Sequence, residues 1–276
     1  MRTISRETLP AHLTTRATDC HKGDFGSVGI LGGAPGMAGA VLLAARAALY
    51  CGAGRVYVGA LDERLAVDPV CPELMIVPAE TLPALPHPAC LIAGPGMGDS
   101  NAARRVLAQA LQVEHALLLD ADALNLIASD HELLAMLQAR TAATLLTPHP
   151  GEAARLLGVS NSEIQSDRNA AIQRLVALTG ATSVLKGHAT LIQHPGQPIW
   201  RNSSGNPAMA APGMGDVLTG IIAALIAQGM AVKHAAVLGV WLHGQAGDEA
   251  LAASGGKRVL TASEVSQQAR SVLAHL

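Results

Sequence analysis

The feature that most constrains the fold of this chain is an alternation, along nearly its whole length, of short apolar runs with longer helical segments. Most of the apolar runs are bounded by Gly, Pro or Asp, as is typical of strands covered on both faces. They span residues 28–31, 56–60, 74–77, 89–93, 116–119, 144–146 and 182–185. Strands that alternate with helices predict a three-layer α/β/α sandwich around a mostly parallel sheet.

The segments between these runs carry helical patterns, and several helix ends are marked by capping residues. The predicted helices span residues 38–51, 101–112, 132–138, 152–157 and 163–178. Ser160 with Glu163 has the pattern of a capping box, and Gly180 closes the same helix. Asp99 is placed to cap the helix that starts near Asn101.

Residues 189–193 and 199–201 flank Gly196 and predict a hairpin added to the edge of the sheet. The chain contains no internal repeat, low-complexity tract or long linker. We therefore expect residues 1–276 to form a single domain.

Composition argues against several classes of partner. The 19 basic and 21 acidic residues give a formal charge of -2 without a Lys/Arg block, so nothing indicates binding to nucleic acid or to an anionic membrane. The longest apolar run is far shorter than the ~20 residues of a membrane helix. Cys20, Cys51, Cys71 and Cys90 form no CxxC pair, which favours buried, reduced thiols and a cytoplasmic location.

The strongest local feature is a glycine-rich passage, Gly213-Met214-Gly215-Asp216, that opens an apolar helical stretch. Unpaired backbone N–H groups and the helix dipole make such a helix start a binding site for phosphate. Asp216 then has two interpretations: it accepts a proton from a substrate hydroxyl, or it only caps the helix. Met214 stands between these glycines, beside the predicted phosphate site, which makes it a candidate for an effect on nucleotide preference.

Three polar clusters follow predicted strands, where open parallel sheets bind their ligands. Asp120 and Asp122 are placed either to steer Mg²⁺ through water or, for Asp122, to start a helix. His149, between two prolines, is either a fixed ligand contact or a surface histidine. Lys186 begins the third cluster and is either a partner for phosphates or a solvated charge.

Two further glycine-rich passages follow strands, at residues 32–40 and 94–98. The second does not complete the pattern GxGxxG, because position 99 is Asp, and the GxxxxGK[ST] phosphate loop is absent. A dinucleotide-binding Rossmann unit is therefore disfavoured. Glycines at these places still allow a ligand to approach the backbone closely.

Taken in order, these motifs resemble those of the ADP-dependent NAD(P)H-hydrate dehydratases. The resemblance runs from about His21 to Gln268 and rests on HKGDFG, GGAPGMAGA, GPGMG, LDADALN, TPHPGE, LKG, GNPAMA and GMGD. In bifunctional enzymes this domain is fused to an epimerase; no epimerase-like motif precedes His21, so we expect the stand-alone form of the dehydratase. The resemblance implies a ribokinase-like fold with one active site along the strand ends.

The same resemblance implies which residues bind the two substrates. The residues expected to contact the hydrated nucleotide are Ala40, Gly96, His149 and Asp216. Those expected to hold the adenine nucleotide are Lys186, Gly187, His188, Ala189, Thr190 and Gly215. Gly213, Met214 and Gly215 would form the anion hole for the transferring phosphoryl group, and Asn206 would shape the neighbouring loop.

The implied reaction is nucleotide repair by a carbon–oxygen lyase that uses Mg²⁺ and consumes ADP. Asp216 would take the hydroxyl proton of hydrated NADH or NADPH, in the S form, as that oxygen attacks the terminal phosphoryl of ADP. Loss of phosphate would then restore NAD(P)H and leave AMP. Family members are often homotetramers.

Two other functions fit part of the same pattern. The first is an ATP-dependent kinase of the same fold, acting on a small molecule such as a vitamin precursor. Its mark would be a stable phosphorylated product. The second is a nucleotide sensor without turnover, against which the presence of Asp216 argues.

Overall fold

In the computed structural model, residues 1–9, 17–86, 88–256 and 258–276 are described. Their centre is a ten-stranded sheet in the order β1-β10-β9-β8-β7-β6-β5-β2-β3-β4. Only β9 runs against its neighbours, pairing antiparallel with β8 and β10. The strands are β1 Arg2–Thr3, β2 Ser27–Gly32, β3 Arg55–Ala60, β4 Met75–Pro78, β5 Cys90–Ala93, β6 Ala116–Leu119, β7 Thr144–Leu146, β8 Thr182–Leu185, β9 Leu191–Gln193 and β10 Trp200–Arg201.

Helices cover both faces of this sheet, and each face has its own apolar core. One core joins the sheet to α1, α8, α9 and α10, and the other joins it to α2 through α7. The helices are α1 Ala38–Tyr50, α2 Asn101–Gln112, α3 Ala121–Ser129, α4 His131–Gln138, α5 Pro150–Leu157, α6 Asn161–Ser166, α7 Arg168–Thr179, α8 Met214–Ala227, α9 Val232–Ala253 and α10 Ala262–Leu273. The predicted sandwich with a mostly parallel sheet is confirmed.

Three local features differ from the predicted pattern. The helix predicted at 163–178 is broken in two, because Asp167 leaves the helical conformation and its Oδ1 accepts a hydrogen bond from Ala170 N at 2.9 Å. Helix α3 was not among the predicted helical segments, although one interpretation of Asp122, which lies in its first turn, was that it starts a helix. Ser100, rather than Asp99, caps α2.

The predicted hairpin is confirmed as the antiparallel pair β9 and β10. Cys51, Cys71 and Cys90 are buried thiols as expected, whereas Cys20 is exposed. Within the described ranges, no helix is at once long and apolar enough to cross a membrane. His12 and His87, to which the sequence assigns no role, lie outside the described residues.

Candidate active site

The predicted site residues lie along one edge of the sheet, where parallel strands end. The segments that carry them follow β2, β5, β6, β7 and β8, which are parallel and whose carboxyl ends therefore share that edge. Helix α8 begins at the same edge. Open parallel sheets bind ligands there, because the connections on the two sides of the strand ends leave a crevice.

The start of α8 has the conformation predicted for an anion-binding turn. Gly213 precedes the helix with φ of 86°, and no side chain caps its first turn. Amide N–H groups in that turn lack partners within the helix and carry the positive end of its dipole. The side chain of Met214 packs into the core at 8% exposure, which leaves its backbone as the part available to a phosphate.

Asp216 stands in this first turn and does not act as its cap. Its carboxylate accepts no hydrogen bond from the part of the chain that the structure describes. Burial, and then the neighbouring charge of Asp120, raise the pKa of Asp216 to about 7, while Lys186 opposes the change. A carboxylate with a pKa near neutrality is suited to accept a proton at physiological pH.

Lys186, at the end of β8, is paired inside the site instead of being solvated. Its Nζ lies 2.6 Å from Oδ1 of Asp120 and 3.8 Å from Oε2 of Glu152. Burial disfavours the charged lysine, but the two carboxylates outweigh burial and raise the pKa of Lys186. A Cβ atom on Gly215 would lie 3.1 Å from this Nζ, so the ammonium group sits directly beside the first turn of α8.

His149 is fixed by the start of α5, although its side chain is half exposed. Its Nδ1 accepts hydrogen bonds from the amides of Gly151 at 3.0 Å and Glu152 at 3.4 Å. Its Nε2 lies 3.1 Å from Oε1 of Glu152, so the proton is assigned to Nε2. His149 and Glu152 form the capping box of α5. Together with the flanking Pro148 and Pro150, this capping box gives His149 one orientation at the edge of the site.

The two glycine-rich passages after β2 and β5 are joined to each other. Gly33 N donates to Pro95 O at 3.0 Å, and Ala34 N donates to Gly96 O at 2.7 Å. A Cβ atom on Gly96 would lie 3.1 Å from the Cβ of Ala40, which places the two predicted substrate contacts side by side. The passages therefore form one continuous surface.

Asp122 supports this surface from the neighbouring helix. Its Oδ2 accepts the amide N–H of Gly98 at 2.8 Å, and Asn125, 3.4 Å from its Oδ1, in turn contacts Arg155. Asp122 lies in the first turn of α3, so the interpretation that it starts a helix is confirmed, and its carboxylate additionally binds the Gly98 amide. The contact between Asp122 and Gly98 could not be predicted from local patterns, because the two residues follow different strands.

The turn after β8 holds the other predicted nucleotide contacts. Gly187 and His188 are exposed, while Ala189 and Thr190 are half-buried. Thr190 Oγ1 donates to Gly187 O at 3.0 Å and closes the turn. Arg168, which the sequence analysis missed, packs against this turn from the start of α7.

The side chain of Asn206 forms hydrogen bonds that hold the loop before α8. Its Oδ1 accepts the amide N–H of Ala208 at 3.0 Å, and its Nδ2 donates to Asp248 of α9 at 2.9 Å. The other carboxylate oxygen of Asp248 accepts Gly205 N at 2.9 Å. The Asn206–Asp248 pair therefore fixes the loop that leads to α8 against helix α9.

Acidic side chains at the strand ends are already engaged by protein groups. Asp120 pairs with Lys186, and Glu152 accepts His149 N at 2.7 Å. In the described parts of the chain, no group of three His, Cys, Asp or Glu side chains has an arrangement that would hold a metal ion.

Comparisons with known proteins show which family the chain belongs to. The model of the NAD(P)H-hydrate dehydratase family matches residues 28–269. An ADP-dependent (S)-NAD(P)H-hydrate dehydratase of Neisseria meningitidis is 44% identical over 268 residues, which cover 95% of this chain and 90% of that protein. Bifunctional NAD(P)H-hydrate repair enzymes also match, and the chain spans 51% of the one from Coxiella burnetii.

Solved structures show the same fold. A ribokinase-like superfamily protein of Enterococcus faecalis superposes with a TM-score of 0.85 at 29% identity, covering 99% of this chain and 95% of that one. An ADP/ATP-dependent NAD(P)H-hydrate dehydratase of Bacillus subtilis, co-crystallised with ATP and Mg²⁺, gives a TM-score of 0.81 at 29% identity, covering 95% and 94%. The chain has a ribokinase-like fold and belongs to the NAD(P)H-hydrate dehydratase family.

Proposed function

We propose that this protein is an ADP-dependent dehydratase that returns the S form of hydrated NADH or NADPH to NAD(P)H, with release of AMP and phosphate. The observation that carries the proposal is the Asp216 carboxylate, free of hydrogen bonds from described residues and with its pKa raised to about 7 at the start of α8. Membership of the family favours this function over the small-molecule kinase of the same fold.

In the proposed reaction Asp216 removes the proton from the ring hydroxyl of the substrate. The hydroxyl oxygen forms a bond to the terminal phosphorus of ADP, and the bond from that phosphorus to the AMP oxygen breaks. The new phosphate is a better leaving group than hydroxide. When the ring C–O bond breaks, the electron pair of the ring nitrogen assists the departure of phosphate and leaves a cationic iminium. Loss of a proton to solvent from the ring carbon next to the former C–O carbon then forms the double bond and restores the neutral dihydronicotinamide.

The remaining residues bind and orient the reactants. The hydrated ring lies between Asp216 and the surface formed by Ala40 and Gly96, with the edge of His149 beside it. The amides of Gly213, Met214 and Gly215 stabilise negative charge on the transferring phosphoryl group, as preorganised donors do in phosphoryl transfer. Lys186 keeps a positive charge beside Gly215. Because its Nζ is paired with Asp120, it stabilises the phosphates through its electric field and not through a direct hydrogen bond.

Residues 186–190 hold the adenine nucleotide in this proposal. Gly187 and His188 are exposed and accessible to a ligand. Ala189 and Thr190 complete the turn, whose backbone conformation is fixed by the Thr190 hydroxyl. Gly215 lies between the two binding regions, which suits its expected contact with the phosphate end of the nucleotide.

Magnesium is proposed as a companion of the nucleotide, neutralising phosphate charge. Mg²⁺ prefers oxygen ligands and keeps several waters. The oxygens of Asp120 and Glu152 are of the right type, but both side chains are held by Lys186 and His149. Asp120 and Glu152 therefore suit contact with Mg²⁺ through water molecules better than direct coordination of the ion.

We propose four further properties of this protein. The chain forms a single domain, works in the cytoplasm as the cysteine pattern predicts, and assembles as a homotetramer like many members of its family. It acts on small molecules and binds neither nucleic acid nor membranes, in keeping with a charge of -2 and no basic block.

The deciding experiment incubates the purified protein with hydrated NADH, Mg²⁺ and ADP and follows the return of dihydronicotinamide absorbance in the near ultraviolet. We expect recovery that depends on ADP, with one AMP formed for each NADH. Parallel reactions with ATP and without nucleotide test the choice of phosphoryl donor. A stable phosphorylated product, or no recovery with either nucleotide, would instead favour the kinase.

A further inference from the structure

Arg168, at the first position of α7, faces the turn formed by residues 186–190 and has no role in the reaction described above. We propose that Arg168 is a positioning residue for the adenine nucleotide: its guanidinium holds this turn in its binding conformation and adds positive charge beside it. The inference rests on the proposed function, in which the turn binds ADP.

The first support is the hydrogen bonding of the guanidinium group. Nη2 of Arg168 donates to the carbonyl oxygen of Leu185 at 3.0 Å and to that of Lys186 at 3.2 Å. These are the last carbonyl of β8 and the first of the turn. One planar, charged group therefore fixes the direction in which the chain leaves the sheet, and hydrogen bonds from charged donors are the stronger kind.

The second support is the close approach of the same group to Gly187. A Cβ atom on Gly187 would lie 3.0 Å from Nη1 and 3.4 Å from Nη2 of Arg168, and Gly187 has φ of 131°. Only glycine combines that backbone angle with room for the guanidinium. The Gly187 of the LKG motif is thus explained by the packing of Arg168.

The third support is that the turn is not stabilised by local preference alone. Ala189 has φ of 54°, in the left-handed region that is unfavourable for a residue with a Cβ. Within the turn, the hydrogen bond from Thr190 Oγ1 to Gly187 O stabilises this conformation. A backbone with two residues at positive φ needs a contact from another element to keep one conformation.

The fourth support is electrostatic. Arg168 forms no ion pair with any carboxylate in the described ranges, and it is half-buried. Its positive charge is consequently not neutralised by the protein, and the exposed face of the turn lies next to it. An anionic nucleotide is the complementary ligand for such a surface.

Arg140 provides a matched control at the opposite end of the sheet. Its guanidinium also donates to backbone carbonyls, reaching Leu111 at 2.7 Å, Val113 at 2.8 Å and His115 at 3.0 Å. It resembles Arg168 in chemistry but precedes β7, whereas the proposed site follows the strands. Arg140→Met therefore reports the general cost of losing a carbonyl-binding arginine.

The experiment measures ADP binding by titration calorimetry, with Mg²⁺ present, and the KM values for ADP and for hydrated NADH. In Arg168→Met we expect the Kd and KM for ADP to rise about tenfold or more, the loss of roughly one stabilising contact. The KM for the hydrate should change less than about twofold. Arg168→Lys, which keeps the charge but not the planar fork, should lie between this variant and the unmodified protein.

The outcomes separate this inference from the proposed function. An unchanged Kd for ADP in Arg168→Met overturns the inference while turnover by the unmodified protein upholds the function. An equal weakening of ADP binding in Arg140→Met, or an equal rise of both KM values, also overturns it, because the effect would then be general. Failure of the unmodified protein to bind ADP refutes the proposed function itself.

Discussion

Replacing Asp216 by Asn should remove activity and, at the same time, stabilise the protein at high pH. Asn keeps the shape of the side chain but cannot accept the proton. Loss of a general base costs on the order of 10²–10⁴ in rate. The environment that makes Asp216 a base at neutral pH is the same burial and carboxylate charge that disfavour its ionised form in the fold.

The size of the stability effect follows from the pKa of Asp216. This pKa is raised from its ordinary value of 3.8 to about 7. Because the folded-state pKa is the higher one, the stabilising contribution of the protonated group is complete below its unfolded pKa and is lost as the pH rises through about 7. At 1.36 kcal/mol for each pH unit, the ionised carboxylate lowers the free energy of unfolding by about 4 kcal/mol above that range.

Urea denaturation at pH 5 and pH 8 measures this directly. The excess stability of Asp216→Asn over the unmodified protein should grow by about 2–3 kcal/mol between the two values, since part of the effect is already present at pH 5. Asp19→Asn is the matched control, because Asp19 is exposed and far from the strand ends in sequence. A gain in this control as large as that of Asp216→Asn would show that the effect is not specific to the buried site.

Turnover supplies the second measurement. In the unmodified protein, kcat/KM should rise with pH up to about 7 and then level, as the base loses its proton. Asp216→Asn with turnover within tenfold of the unmodified protein would refute the assignment of the base. A stability difference that is constant between pH 5 and pH 8 would refute the account of its environment, whatever the activity.

Three further variants test other contacts. Met214→Ala should lower the free energy of unfolding by about 2–5 kcal/mol in urea, because the side chain is in the core, while the ratio of kcat/KM for ADP to that for ATP stays constant. Asp122→Ala frees the Gly98 amide and should raise the KM for hydrated NADH about tenfold with little change in the KM for ADP, measured by steady-state kinetics. Arg46→Met leaves the fully buried Asp68 without its bidentate partner and should destabilise the protein by about 3–5 kcal/mol on thermal or urea unfolding.

Much of the architecture could be predicted because it depends on local patterns. Apolar runs of strand length, bounded by turn residues, marked β6, β7 and β8 with their observed limits. Helix α2 was likewise predicted at its observed limits, although its capping residue was not. The break at Asp167 was missed because an aspartate inside an amphipathic pattern is compatible with either a continuous helix or a new start.

For the candidate site, sequence predicted the segments but not the partners of their side chains. Lys186 and Asp120 are 66 residues apart and meet only because β8 and β6 flank β7 in the sheet. A lysine directly after a strand suggests that its side chain contacts a phosphate or solvent. No neighbouring residue indicates that its partner is a buried carboxylate. The contact of Arg168 with Gly187 is hidden for the same reason.

Local patterns along the chain predict the alternation of strands and helices, the glycines that let backbones approach, and the position of Asp216 in the first turn of a helix. Periodicity, turn chemistry and capping are properties of neighbouring residues, so they can be read along the chain. Tertiary structure decided that Met214 points into the core and that Asp216 has a pKa of about 7. Burial and electrostatic interaction depend on groups brought together from distant strands, and only the folded sheet sets those distances.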